Sequence, residues 1–150
     1  VRTPVVDRIG DVGEGWIAAK RLMEIARSNN TTTGLLRRAM RAAQQGAVEA
    51  GCVDGEIQMR LADMTRRIDA FEALEGHVSA GGIDIGPAPA TSALKLLATE
   101  LHQAITEVAL DVAPHSAFAQ EKYFATRAAT IYSGTSEVHR NILARAIGCA

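Results

Sequence analysis

Two apolar stripes at helical spacing constrain this chain more than any other feature of it. Ile57, Leu61, Met64, Ile68, Phe71 and Leu74 follow one another at intervals of four, three, four, three and three residues. Leu94, Leu97, Leu101, Ile105, Val108 and Val112 form a second stripe of the same kind. Such spacing gathers its members on one face of a long helix and suits packing of helix against helix. Weaker helical patterns flank the two stripes. Trp16, Ala19, Leu22, Met23 and Ala26 share a face, with Lys20, Arg21 and Glu24 largely opposite. Gly34 through Val48 and Phe118 through Ala129 are amphipathic, and a last helix is expected to start near Gly134-Thr135 and bury Val138, Ile142, Leu143 and Ala146.

The breaks between these segments are equally legible. Ser28 to Thr33 is a polar run rich in capping residues, Gly51 and Asp54-Gly55 mark a second break, and Ser79 to Pro89 reads as a loop. Pro114 is expected to end the second long helix. Val1-Arg2-Thr3-Pro4-Val5-Val6 suits the tail of an extended segment, and Gly10, Gly13 and Gly15 punctuate a turn after it. The expected fold is therefore all-α: an up-down, four-helix-bundle-like domain over residues 13–150 behind a short extended lead-in over 1–12.

Charge and composition exclude several function classes. With 16 basic and 17 acidic residues among 150, the chain has no electrostatic footprint for nucleic acid. No apolar run approaches the roughly 18 residues that a membrane span needs. Cys52 and Cys149 are isolated, which offers neither a zinc site nor a disulfide framework, so a cytoplasmic setting is expected. The chain opens on Val1, so a fragment or a processed product is expected. Bundles often hold metals through a carboxylate three residues before a histidine. His77, His102, His115 and His139 have Leu74, Thr99, Val112 and Ser136 at that spacing, so they read as surface or packing residues. Arg37, Arg38 and Arg41 cluster on one helix, either as a solvated face or as contacts to an anion such as phosphate.

The segment Ile131-Tyr132-Ser133-Gly134-Thr135-Ser136-Glu137-Val138-His139-Arg140 carries the most chemistry. Gly134 lets a ligand approach the backbone closely, and the Thr135 and Ser136 hydroxyls lie beside the unpaired N–H groups of a helix start. With the helix dipole, such an end suits an anion, including a diphosphate, although plain helix capping uses the same residues.

That segment, continued through Asn141-Ile142-Leu143-Ala144-Arg145, resembles the C-terminal motif of acyl-CoA dehydrogenases. Gly10 and Gly13-Glu14-Gly15-Trp16 resemble the family's passage from its middle β-domain into its C-terminal helical domain. Gln58-Met59-Arg60-Leu61-Ala62-Asp63-Met64 is similar to the family's Gln-x-x-Leu-Ala-Asp-Met helix. The resemblance covers nearly the whole chain but only about the last third of a family member. It implies an FAD flavoprotein that dehydrogenates acyl-CoA thioesters, with this domain at the centre of an oligomer and residues 1–12 as the tail of the preceding β-domain. By the same resemblance Gly134, Thr135 and Glu137 are cofactor-binding, and Tyr132, Glu24 and Arg27 face the substrate.

The departures from the family pattern are specific. The family's base is a Glu between the Tyr and Gly of the motif, where this chain has Ser133. In other members it precedes an arginine of the first helix, where this chain has Ala26 before Arg27. Glu24, three residues before Arg27, is a candidate stand-in. The family's Arg-x-x-Phe-Gly segment is replaced by Ala50-Gly51-Cys52-Val53-Asp54, and its Gly-rich loop by Asp111 to Ser116. The resemblance therefore implies a subunit with a degenerate site, inactive as the isolated chain, in a homo-oligomer or beside a base-bearing partner subunit. Some such hetero-oligomers act on bulky substrates such as steroid side chains. The alternative is a non-catalytic oligomerisation module that binds no flavin.

Overall fold

The computed structural model describes residues 2–27, 32–52, 54–82 and 85–149, with backbone alone for 24–27. Among the described residues six helices form: α1 (Gly15–Arg27), α2 (Thr33–Glu49), α3 (Gly55–Ser79), α4 (Pro87–Val112), α5 (Ala117–Arg127) and α6 (Ser136–Ala146). Single 3₁₀ turns occupy Val5–Asp7 and Ala128–Thr130. No strand occurs among the described residues, and no helix is long and apolar enough to cross a membrane.

Local sequence explains the helix starts. Thr32, Asp54, Ser116 and Thr135 are the N-caps of α2, α3, α5 and α6, and each side chain accepts from the backbone N–H three residues on. Helix α4 begins differently, on Gly86 at a φ of 84° followed by Pro87 at its first position. The prolines expected in the preceding loop thus belong to the first turn of α4, because that turn needs no N–H from them.

Helix α4 is the axis of the domain, with α2, α3, α5 and α6 all packed on it. Leu94, Leu101, Ile105, Val108 and Val112 are buried as their stripe predicts, and they join Leu36, Met40, Leu61, Ile68 and Phe71 in one core. Leu97 departs from the stripe and is 47% exposed, while Leu96 and Ala98 are buried instead. A helix covered on several sides does not bury a single stripe, so one-face periodicity misassigns residues at its margins.

Two further expectations need correction, for α6 and for the lead-in, and α1 shows an open face. In α6 the buried residues are Ser136 and His139, whereas Val138 and Ala146 are exposed and Ile142 and Leu143 half-buried. In α1 the apolar face is open, with Trp16, Ile17, Leu22 and Met23 all exposed, because little of this chain packs against it. The extended lead-in contains a 3₁₀ turn at Val5–Asp7, where Asp7 N–H bonds to the Pro4 carbonyl.

The arginine cluster divides between roles. Arg37 ties α2 to α3 through Asp69, at 2.9 Å, and Glu72. Beside it the Thr33 hydroxyl donates to Glu75 at 2.6 Å. Arg38 and Arg41 are left out of that seam and exposed.

Truncation of fully buried Ile105 to Ala is expected to lower unfolding free energy by about 2–5 kcal/mol. Val138→Ala should change it by no more than about 0.5 kcal/mol. Urea denaturation of both variants checks the assignment of buried and open faces.

Candidate functional site

Between α5 and α6 the chain makes a turn that two residues could not make in an ordinary conformation. Ser133 has φ of 57° and Gly134 of 102°, consecutive positive values. Serine is uncommon there, since its Cβ crowds the backbone. Gly134 is required twice over: by its φ, and because a Cβ on it would stand 2.8 Å from Nε2 of His139. The space that a glycine leaves open on that side is thus filled by this chain's own imidazole.

His139 is fully buried, and its Nε2 lies 3.2 Å from the Ser133 carbonyl. A carbonyl only accepts, so Nε2 carries the hydrogen in this contact. Lys95 reaches the same turn from α4, with Nζ donating to the Gly134 carbonyl at 2.7 Å. Arg140 pairs with Glu100 and fastens α6 to α4 one turn further along.

The start of α6 is already occupied by protein groups. The Thr135 hydroxyl accepts from Val138 N–H at 3.3 Å. The Glu137 carboxyl is held below the usual range, first by its own backbone N–H, then by the Thr135 hydroxyl, with Arg140 and Lys95 adding to the effect. A carboxylate at this helix end opposes a second anion there. What remains outward is an acceptor set, the Glu137 oxygens and a lone pair of Thr135, which can take hydrogen bonds from hydroxyl or amino groups. Ser136, by contrast, is turned inward, and its hydroxyl is buried with no hydrogen-bond partner among the described residues.

Tyr132 links this turn to a cavity of about 550 Å³ between α2, α4 and α5. Its walls are small: Ala39, Ala42 and Gly46 from α2, Ala109 and Ala113 from α4, and Ala119 and Ala125 from α5. Arg38, His102 and Lys122 also line it, and no carboxylate does so among the described residues. Burial first, then Arg127 and Lys122, push the His102 imidazole below its ordinary value near 6.5, so it stays neutral at pH 7. A volume of this size with apolar walls and a few polar groups suits a small-molecule ligand.

Tyr132, Ser133, Gly134, Thr135 and Glu137 thus share one turn, with the Ser133 side chain exposed. Glu24, Ala26 and Arg27 lie in the last two turns of α1, and their side chains fall outside the described residues. Sequence reasoning missed Lys95 and gave His139 no part in the turn. Lys95 carries a signal, a lone charge inside the run Ala93-Leu94-Lys95-Leu96-Leu97.

Fold and site together define an all-α domain on a central helix, with a ligand-sized cavity ending at a strained inter-helix turn. Residues 13–148 match the family described as acyl-CoA dehydrogenase, C-terminal domain, and the chain belongs to that family. Among solved structures it is similar to a chain described as the electron transferring flavoprotein of Acidaminococcus fermentans, studied for flavin-based electron bifurcation. Identity is 20% and the TM-score 0.67, over 92% of this chain and 40% of that one. At this identity the likeness concerns the fold, and the chain spans less than half of that relative's length. No curated protein matches the sequence.

Two measurements check the site. Gly134→Ala should destabilise the chain by roughly 1–3 kcal/mol through its φ and the clash with His139, whereas Gly76→Ala in α3, where a Cβ meets nothing within 4 Å, should stabilise it by up to about 1 kcal/mol. His102 supplies the pH dependence. The unfolded chain takes up a proton near its ordinary pKa while the folded chain resists it, so stability is lost as pH falls below about 6.5. His102→Gln should flatten that loss when urea midpoints are compared at about pH 7.5 and about pH 5.5.

Proposed function

We propose that this chain is the C-terminal helical part of an acyl-CoA dehydrogenase-like flavoprotein, in a subunit whose own proton-abstracting site is degenerate. The observation that supports the reading is the turn at 132–135 joined to a cavity that no carboxylate lines among the described residues. Small residues along α2, α4 and α5 leave room for an acyl chain, and Arg38 offers charge to an anionic ligand, while Lys122 is paired with Glu121 at 2.8 Å. Thr135 and Glu137, with the backbone at Gly134, would hold the hydroxyl-bearing part of FAD, which when bound accepts the hydride in this family's chemistry.

Removing an α-proton from a thioester needs a base within hydrogen-bond reach. Ser133, at the motif position of the family's base, has no carboxylate and faces solvent. His102 is the neutral basic group of the cavity, but its lowered proton affinity makes it a poor acceptor for a carbon-bound proton. The base would then come from Glu24, whose side chain lies outside the described residues, or from another subunit, and the open apolar face of α1, with Trp16, Ile17, Leu22 and Met23, supports burial in an oligomer. In this reading residues 1–12 lead in from a preceding β-domain, acyl-CoA is the substrate, and the setting is cytoplasmic.

The test is flavin absorbance and steady-state turnover with an artificial electron acceptor. The chain alone should be colourless. In the assembled flavoprotein, at matched flavin content, Ser133→Ala should leave turnover nearly unchanged. A loss beyond about tenfold, near 1.4 kcal/mol in the barrier, would mean that Ser133 acts directly. An assembly that never binds flavin would instead favour a non-catalytic oligomerisation module.

A further inference from the structure

Lys95 is only 2% exposed, in the middle of α4 between Leu94 and Leu96. An ammonium withdrawn from water is unfavourable unless it is hydrogen-bonded, and a methionine would fill the same apolar space without that difficulty. The charge therefore serves the groups that it bonds, among them the Gly134 carbonyl. Its Nζ holds the Gly134 carbonyl at 2.7 Å, while buried His139 of α6 holds the adjacent Ser133 carbonyl at 3.2 Å. Two helices thus grip two consecutive carbonyls from the buried side, at the two residues whose φ values are 57° and 102°.

We propose that Lys95 and His139 are positioning residues that clamp the Ser133–Gly134 backbone in its left-handed conformation. The clamp sets how position 133 and the Thr135–Glu137 acceptors are presented beside Tyr132 and the cavity. The proposal rests on the reading of this turn as the cofactor-facing element. Its physical content is separate from that reading: a serine held at positive φ relaxes when the donors on its inner side are removed, and a glycine does not need them.

The experiment is amide hydrogen exchange across residues 132–138 in wild type, Lys95→Met, Ser133→Gly and the double variant, with flavin dissociation from the assembled protein followed in parallel. Loss of a charged donor to a buried carbonyl should speed exchange of the turn amides in Lys95→Met by about tenfold or more. Ser133→Gly should recover most of that protection in the Lys95→Met background and change little in wild type. Equal effects of Ser133→Gly in both backgrounds, or unchanged turn amides in Lys95→Met, would overturn the clamp. If Lys95→Met does not fold, nuclear magnetic resonance of wild type decides. The Lys95 ammonium protons should exchange slowly with water and cross-relax with Gly134, and rapid exchange without that contact would overturn the proposal. Flavin dissociation that rises together with turn exchange supports both levels. A loosened turn with unchanged flavin dissociation leaves the clamp standing and removes the cofactor-facing reading.

Discussion

Burial of α4 on several sides at once is the constraint on which the rest of this domain depends. A helix in that position cannot choose its neighbours by apolar contact alone, because an apolar surface accepts many registers. Its polar residues supply the choice. Thr106 exchanges a hydrogen bond of 2.9 Å with Thr126 of α5, and Gln103 donates to the Thr126 carbonyl at 2.9 Å. Arg127 pairs with Glu107 at 2.6 Å while its guanidinium lies over the Tyr123 ring. These contacts fix α5 lengthwise on α4, and Lys95 does the same for the turn into α6. Thr99 is satisfied within its own helix, donating to the Lys95 carbonyl at 2.8 Å. Gln103, Thr106 and Lys95 on the central helix thus act as register marks for α5 and for the turn into α6.

The same arrangement explains the electrostatics of the cavity. Once α5 is fixed by Arg127 and Glu107, Lys122 lines the cavity, and both cations bear on His102. Of the nearby acidic residues, Glu107 pairs with Arg127 and Glu121 with Lys122, while Asp69 and Glu72 pair with Arg37 between α2 and α3. The cavity is left with Arg38, a neutral His102 and the Glu121-paired Lys122 among small apolar walls. Among the described residues no carboxylate lines it, and the lowered proton affinity of His102 makes that imidazole a weak base.

Much of the fold was legible because helix periodicity and capping are local signals. The stripe from Ile57 to Leu74 became α3, and Thr32, Asp54, Ser116 and Thr135 stand at the helix starts that polar breaks and the last motif announced. What failed to show was the identity of partners across the domain. Leu97 and Val138 match their stripes yet face outward, since a one-dimensional pattern does not reveal how many neighbours a helix has. The motif from Tyr132 to Glu137 was legible as a unit, but the reason for Gly134 was not. Its open side is filled by a histidine five residues later that only the path of α6 brings back against the turn. The carboxylate of Glu137 was legible in the motif, and the structure adds its own backbone N–H and the Thr135 hydroxyl as the groups that hold it.

The parts of the turn differ in what they owe to folding. Gly134, His139 and Lys95 are buried or sterically required, and replacing any of them disturbs packing or leaves a polar group unsatisfied. The side chain at position 133 is exposed and is not needed by any core contact. The side chain there can therefore change while the backbone that presents it stays in place, held by donors from α4 and α6. A domain built this way can vary the side chain at position 133 and still keep the shape of the turn. Variation there beside an intact turn thus follows from where the folding energy lies, and it needs no loosening of the structure around it.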